Sequence, residues 1–161
     1  MTRFSGRVFR QTGVDIPAFP PDRPASTSAR YHRAGDPWPL YAALEAPTVW
    51  AEWSAATRGA ISPEDETRCL WELEVRDLPV LDLRDAGVRE ALDITVADLV
   101  GARDRPQQLG RRARRMGALG IVAPSAAHAD HWSLVVFPAG FASVSAVETH
   151  AQHPEPPPLS S

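Results

Sequence analysis

Residues 69–76, "CLWELEVR", alternate apolar and charged side chains. Cys69, Trp71, Leu73 and Val75 fall on one side, and Glu72, Glu74 and Arg76 on the other. A period of two identifies a strand with one buried face. Such a strand needs hydrogen-bonded neighbours and an apolar layer beneath it, so the chain is committed to a sheet over a core. Further strands are expected in "GRVFRQ", "WPLYAA", "LGIVAPS" and "HWSLVVF". "LPVLDL" reads as another strand or as an extended connection. Pro47 suits the first turn of a helix running to about Arg58, with Gly59 as its stop. In that helix Val49, Trp53 and Ala56 recur at helical spacing and are expected to face the core. "DAGVREAL" predicts a second helix, and the Thr95/Asp98 spacing is that of a capping box. "DRPQQLGRRARRMG" predicts a helix capped by Asp104 and ended by Gly117. These elements mix without a clean strand–helix–strand alternation. The expected fold is therefore α+β, with central antiparallel or mixed β-sheets flanked by helices. Residues 1–145 read as one domain, and 146–161 as a Pro-rich disordered tail.

Three absences narrow the chemistry. Cys69 is the single cysteine, which removes an internal disulfide and a Cys-based zinc site. All 17 basic residues are arginine, so Schiff-base lysines, Walker P-loops and Ser–Lys dyads are excluded. Codon bias in a GC-rich genome explains that arginine preference most simply, but the exclusions hold regardless. The formal net charge of −3 gives no global attraction to nucleic acid or to an anionic membrane. No apolar run is long enough to span a bilayer, and "MTRFSGRVFRQTG" lacks the apolar core of a signal peptide. The expected location is the cytoplasm.

Residues 30–53, "RYHRAGDPWPLYAALEAPTVWAEW", set Arg30, Tyr41 and Glu52 among Trp38, Trp50 and Trp53. Tryptophans call for burial, and charges resist it unless paired or bound to something polar. The conflict marks a candidate site. Taken singly, each residue has an ordinary explanation: a surface charge for Arg30, a core aromatic for Tyr41, a solvated helix residue for Glu52, a turn residue for Ser125 after Pro124. Two other clusters carry less. In "RRARRMG" the stripe Leu109, Ala113 and Met116 faces inward and leaves the arginines solvated. "HADH" offers His128, Asp130 and His131, but its spacing fits no standard metal motif, and a triad with Ser125 lacks a G-x-S-x-G elbow.

The combination resembles a family. In order, the chain shows "VFR", "ARYHRAGDPWPLYAA", "TVWAEW", "RPQQLGRRARRMGALGIVAPSA" and "WSLVVF". This is similar to the RES domain, the toxin of Xre–RES toxin–antitoxin pairs, across roughly residues 8 to 138. Arg30 matches the arginine of the family's Gly-Gly-Arg-Trp-Asn element, Tyr41 its strand tyrosine, Glu52 its helical glutamate and Ser125 the serine of Pro-Ser-Ala. The family's two glycines are Ser28 and Ala29 here, its Trp is Tyr31 and its Asn is His32.

The resemblance implies an ADP-ribosyltransferase-like fold acting on NAD as substrate, without a metal. It also implies a toxin that cleaves the nicotinamide–ribose bond by hydrolysis, phosphorolysis or ADP-ribosyl transfer, and a cognate Xre-type helix-turn-helix antitoxin that neutralises it. The residue chemistry agrees. An arginine fork suits the pyrophosphate, which assigns Arg30 there with Tyr31 nearby. Tyr41 suits a flat cationic nicotinamide. Glu52 suits an oxocarbenium-like ribose, against its developing charge or on its 2′-hydroxyl. Ser125 is expected to hydrogen-bond the ribose or carboxamide, and the tryptophans to wall the pocket. The Pro-rich arm at 17–24 is a candidate surface for the antitoxin. A second reading keeps the fold as a catalytically impaired protein-interaction module, which the altered 28–32 element favours. A third, nucleic-acid binding through "RRARRMG", runs against the acidic balance of the chain.

Overall fold

The computed structural model describes residues 1–156. Six strands form one sheet: β1 (Thr2–Gly13), β2 (Leu40–Ala43), β3 (Arg68–Asp82), β4 (Gly120–Pro124), β5 (Trp132–Val136) and β6 (Val144–Gln152). The strand order is β1-β2-β5-β4-β3-β6, and β1 also pairs with β3. That extra pairing closes β1, β2, β5, β4 and β3 into a barrel, with β6 attached outside the ring. The β3–β4 pair is parallel and the other pairs are antiparallel. The fold is mixed α+β as expected, but the anticipated separate sheets are one closed sheet. Closure leaves fewer open edges than two sheets would.

The alternating stretch at 69–76 and "LPVLDL" up to Asp82 prove to be parts of a single 15-residue strand. One edge of β3 carries β1 from Arg68 to Val80. Its other edge carries β6 along Arg68–Val75 and then β4 along Val80–Asp82. The change of partner falls at Asp77, which has a φ of 52°. Aspartate tolerates this left-handed conformation better than most residues. The bend is tied down by the Ser5 hydroxyl, which accepts from the Asp77 amide at 2.8 Å, and by the Arg3 guanidinium on the Asp77 carbonyl.

The tail expectation needs correcting. Residues 146–152 belong to β6, and beyond it the ring of His153 lies 2.6 Å from the Glu66 carbonyl oxygen. β6 is exposed on nearly all of its residues, so its side chains carry little of the hydrophobic signal that reveals a strand; backbone pairing to β3 holds it instead. Residues 157–161 lie outside the described chain.

Four helices pack around the barrel: α1 (Ala46–Thr57), α2 (Ala86–Ala91), α3 (Val96–Val100) and α4 (Asp104–Arg115). Pro47 sits in the first turn of α1, and Arg58 ends it in a left-handed conformation before Gly59. Val49 and Trp53 are buried, but Ala56 is exposed. The capping box at Thr95 and Asp98 is present, with both reciprocal hydrogen bonds. Arg103, not Asp104, occupies the N-cap of α4, and Asp104 is the first helical residue. Leu109 and Ala113 are buried as expected, whereas Met116 is 46% exposed. Arg111 and Arg114 reach Asp36 at 3.3 and 3.4 Å, tying α4 to the loop that precedes β2. The Pro-rich arm also packs: Ala18 is buried and Phe19 meets Phe141 edge-on.

α4 also meets the 29–36 loop at Gly110, where backbone lies directly against backbone. A Cβ there would collide with the carbonyl oxygen of Tyr31. Helix propensity alone favours alanine over glycine by about 1 kcal/mol. Overpacking against rigid backbone costs about 1–3 kcal/mol, so the collision decides the sign. Gly110→Ala is expected to lower the melting temperature by roughly 2–8 °C. The check is a thermal melt followed by circular dichroism.

Candidate functional site

A cleft of about 460 Å³ opens where α1, β2, β4, β5 and the 29–31 loop meet. Arg30, Tyr31, Tyr41, Glu52 and Ser125 all line it. Residues up to 95 positions apart in sequence are thus gathered by sheet closure, because β5 lies between β2 and β4. Glu52 projects from α1 toward β4 and β5. Its Oε1 accepts from the Ser133 hydroxyl at 2.6 Å and from the Ser125 hydroxyl at 3.0 Å. The Ser125 hydroxyl oxygen itself accepts from the amides of Ala127 and His128, both at 3.3 Å. Two backbone donors on its oxygen leave the Ser125 proton to point at the carboxylate. Oε2 of Glu52 carries no hydrogen bond from the described residues.

Burial pushes the Glu52 carboxyl above its ordinary range, against the downward pull of Ser133, Ser125 and the Arg30 charge. The arrangement is a withdrawn carboxylate with one oxygen pinned and one unengaged. Such a group can meet positive charge or take a proton.

A second network orients Tyr41. Its hydroxyl accepts from the Tyr31 amide at 3.0 Å and lies 2.8 Å from Nδ1 of His32. Nε2 of His32 faces the Thr27 carbonyl oxygen at 2.9 Å, which places the ring proton on Nε2 and makes Nδ1 the acceptor of the Tyr41 proton. Burial lowers the His32 pKa and so favours this neutral tautomer. Burial likewise raises the Tyr41 pKa. The Tyr41 proton is therefore committed to His32, and the residue lines the cleft without a hydroxyl proton to donate there. His32, which departs from the family's asparagine, acts here as a strut between the loop and β2.

Arg30 donates through Nη1 to the carbonyls of Leu99 at 3.2 Å and Gly101 at 2.8 Å, joining the loop to the C-terminus of α3. Nε and Nη2 remain. Tyr31 lines the cleft but is only 3% exposed and belongs to the cluster that includes Leu99 and Leu109. Its hydroxyl has no partner among the described residues.

The expected tryptophan walls are absent from this cleft. Trp50 and Trp53 pack with Ala43 and Val49 in a buried cluster of their own, against Phe9 of β1 and Leu70 of β3, and so seat α1 on the sheet without lining the cleft. Ala55 and Ala56 line the opening instead. Sequence reasoning also missed Ser133 and Arg103. Ser133 had a legible signal, a lone hydroxyl in the apolar run "WSLVVF". Arg103 had none. His128 and His131 stack at 3.5 Å, outside the cleft lining. Among the described residues no group of three or more His, Cys, Asp or Glu could hold a metal ion, and no helix is long and apolar enough to cross a membrane.

Comparison with known proteins follows the same lines. In Mycobacterium tuberculosis, a protein named probable NAD(+) phosphorylase is 28% identical over 134 residues, covering 83% of this chain and 65% of that protein. This chain therefore spans just under two thirds of that relative's length. A chain in the crystal structure of the M. tuberculosis MbcT–MbcA toxin–antitoxin complex superposes with a TM-score of 0.79 at 23% identity, over 95% of this chain and 87% of that one. The family model of the RES domain matches residues 7–157, from within β1 to past the end of β6. The chain belongs to the RES domain family.

Proposed function

We propose that the chain is the toxin of a toxin–antitoxin pair and consumes NAD by cleaving the nicotinamide–ribose bond. The observation that carries this reading is the Glu52 carboxylate, buried beside a nucleotide-sized cleft with Ser125 and Ser133 on one oxygen. The similarity to a probable NAD(+) phosphorylase supports the same substrate. In the reaction the bond from C1′ to the pyridinium nitrogen breaks, and its electron pair neutralises the ring. The ribose left behind has oxocarbenium character. Oε2 of Glu52 lies against that developing charge, and Ser125 and Ser133 hold the carboxylate in place. Ser125 thereby acts as a positioning residue, with its hydroxyl proton already committed to Glu52. The Tyr41 ring stacks with nicotinamide, and Arg30 meets the pyrophosphate through Nε and Nη2.

The acceptor we assign is phosphate, whose oxygen forms the new bond to C1′; water and a protein side chain are the alternatives. The fold is taken as ADP-ribosyltransferase-like, in keeping with that chemistry. The neutralising partner is an Xre-type helix-turn-helix antitoxin seated over the cleft, and the exposed residues 21–24 of the Pro-rich arm are a further candidate contact for it. The interaction-module reading has the altered 28–32 element in its favour, but His32 there supports Tyr41 instead of leaving a gap.

Three outcomes are expected. First, purified protein incubated with NAD releases nicotinamide, and phosphate in the buffer yields a phosphorylated ADP-ribose; chromatography with mass detection reads both, and an unchanged NAD pool refutes the proposal. Second, Glu52→Gln keeps the shape and the serine hydrogen bonds but loses the charge. Turnover should fall about a hundredfold, equivalent to roughly 3 kcal/mol, at nearly unchanged NAD affinity. Growth arrest on expression without the partner should disappear with it.

The third outcome is a pH dependence. Folding raises the Glu52 pKa, so the folded chain binds that proton more tightly than the unfolded one. Ionising Glu52 thus costs stability, and the cost is absent below the unfolded carboxyl range and grows as pH rises through the raised folded value. Glu52→Gln escapes it. Its melting temperature should match or exceed that of the parent at pH 7, with the difference closing below about pH 4. Paired thermal melts across that range make the check.

A further inference from the structure

Arg103 lies at the mouth of the same cleft, where α3 hands over to α4. It is exposed, and no ion pair or side-chain hydrogen bond to the described residues engages it. Its neighbours differ. Arg105 is held by the Asp93 carbonyl at 2.6 Å and lies 3.6 Å from Asp98. Arg111 and Arg114 are spent on Asp36. Arg30, the other arginine of the cleft, has Nη1 committed to two carbonyls of the α3 terminus. Gly101, one of those acceptors, is two residues before Arg103. The same short segment therefore anchors one guanidinium and carries another. Both positive charges act on the Tyr41 hydroxyl, and the Arg30 charge also reaches Glu52. The cleft is consequently polarised, with cationic forks toward the α3–α4 junction and the carboxylate at α1.

A dinucleotide has a matching polarity. Its pyrophosphate is the doubly charged part, and the ribose that becomes positive is several bonds away. A single fork with one nitrogen already used cannot satisfy two phosphates bidentately. We infer that Arg103 is the second half of a two-arginine clamp, closing with Arg30 on the pyrophosphate and selecting dinucleotides over nicotinamide ribosides. The inference rests on the NAD reading above. It makes Arg103 a specificity-determining residue that acts on binding and leaves the bond-breaking step to Glu52. An unpaired, exposed side chain breaks no existing contact when it reorients, which suits a group that closes only when ligand arrives.

The test uses ADP-ribose, which keeps the pyrophosphate and lacks the scissile bond, so it binds without being consumed. Adenosine serves as the probe without phosphates. Calorimetry is run on the wild type, Arg103→Gln and Arg103→Lys, with melting temperatures taken alongside. Losing charge-assisted hydrogen bonds to phosphate should weaken ADP-ribose binding by Arg103→Gln about tenfold or more, with adenosine affinity and melting temperature unchanged. Arg103→Lys should fall between, since it keeps the charge and loses the fork. In turnover, Arg103→Gln should raise KM for NAD at nearly constant kcat and leave nicotinamide riboside unaffected. Unaltered ADP-ribose affinity in Arg103→Gln overturns the clamp, as does an equal loss for ADP-ribose and adenosine. Wild-type protein that binds ADP-ribose in this Arg103-dependent way yet releases no nicotinamide would sink the catalytic reading and leave the clamp standing.

Discussion

Pairing on both edges of β3 is the constraint from which the rest of the structure follows. One edge takes β1 along nearly its whole length, and the other takes β6 and then β4. Together with the β1–β2 contact at Phe9 and Ala43, this turns an open sheet into a ring. Buried backbone groups must find partners, and closure supplies them within the sheet. The interior then fills with Val8, Leu40, Leu73, Val80, Val122 and Leu134, all fully buried. Closure also sets β2 and β4 on either side of β5, which brings the Ser125 and Ser133 hydroxyls within reach of one glutamate on α1.

The carboxylate at that meeting point is expensive. Taking it from water raises its pKa, and two hydroxyls and a distant arginine recover only part of the cost. Stable cores avoid such groups unless they are paired. Arg10 poses a similar question on the other side of β2: burial lowers its pKa to about 10, one nitrogen reaches the Tyr41 carbonyl, and Nε has no partner among the described residues. Groups held under this kind of electrostatic load gather where chemistry is done. Here Tyr41 connects them, with its carbonyl on Arg10, its hydroxyl on His32 and its side chain lining the cleft that Glu52 also lines.

The arginines differ in how far other groups of the chain engage them. Arg111 and Arg114 are consumed by Asp36, and Arg30 is partly consumed by the α3 carbonyls. Each tie pins the 29–36 loop against helices that have no backbone pairing to it. The loop in turn carries Arg30 and Tyr31 into the cleft. Gly110 permits this, since any larger residue there would meet the Tyr31 carbonyl. The geometry of the cleft therefore depends on a helix none of whose side chains lines it, Arg103 being the cap that precedes it.

The sequence by itself determined the α+β class, the capping box at Thr95 and Asp98, the start and stop of α1, and membership of the RES domain family. These are legible because each rests on local periodicity, a cap or an ordered set of short motifs. It also nominated Arg30, Tyr41, Glu52 and Ser125, which the fold does bring to one cleft. Other features belonged to the tertiary structure alone. β6 is not legible in the sequence because an exposed strand carries no buried face, and only pairing to β3 makes it one. The separation of Trp50 and Trp53 from the cleft is equally illegible, because proximity to Glu52 in sequence cannot say which face of α1 turns to the core. Ser133 and Arg103 entered the site, and the Ser125 proton turned to Glu52, through contacts between segments far apart in the chain. Periodicity reports which residues share a face, but which distant group waits opposite that face is settled only when the barrel closes.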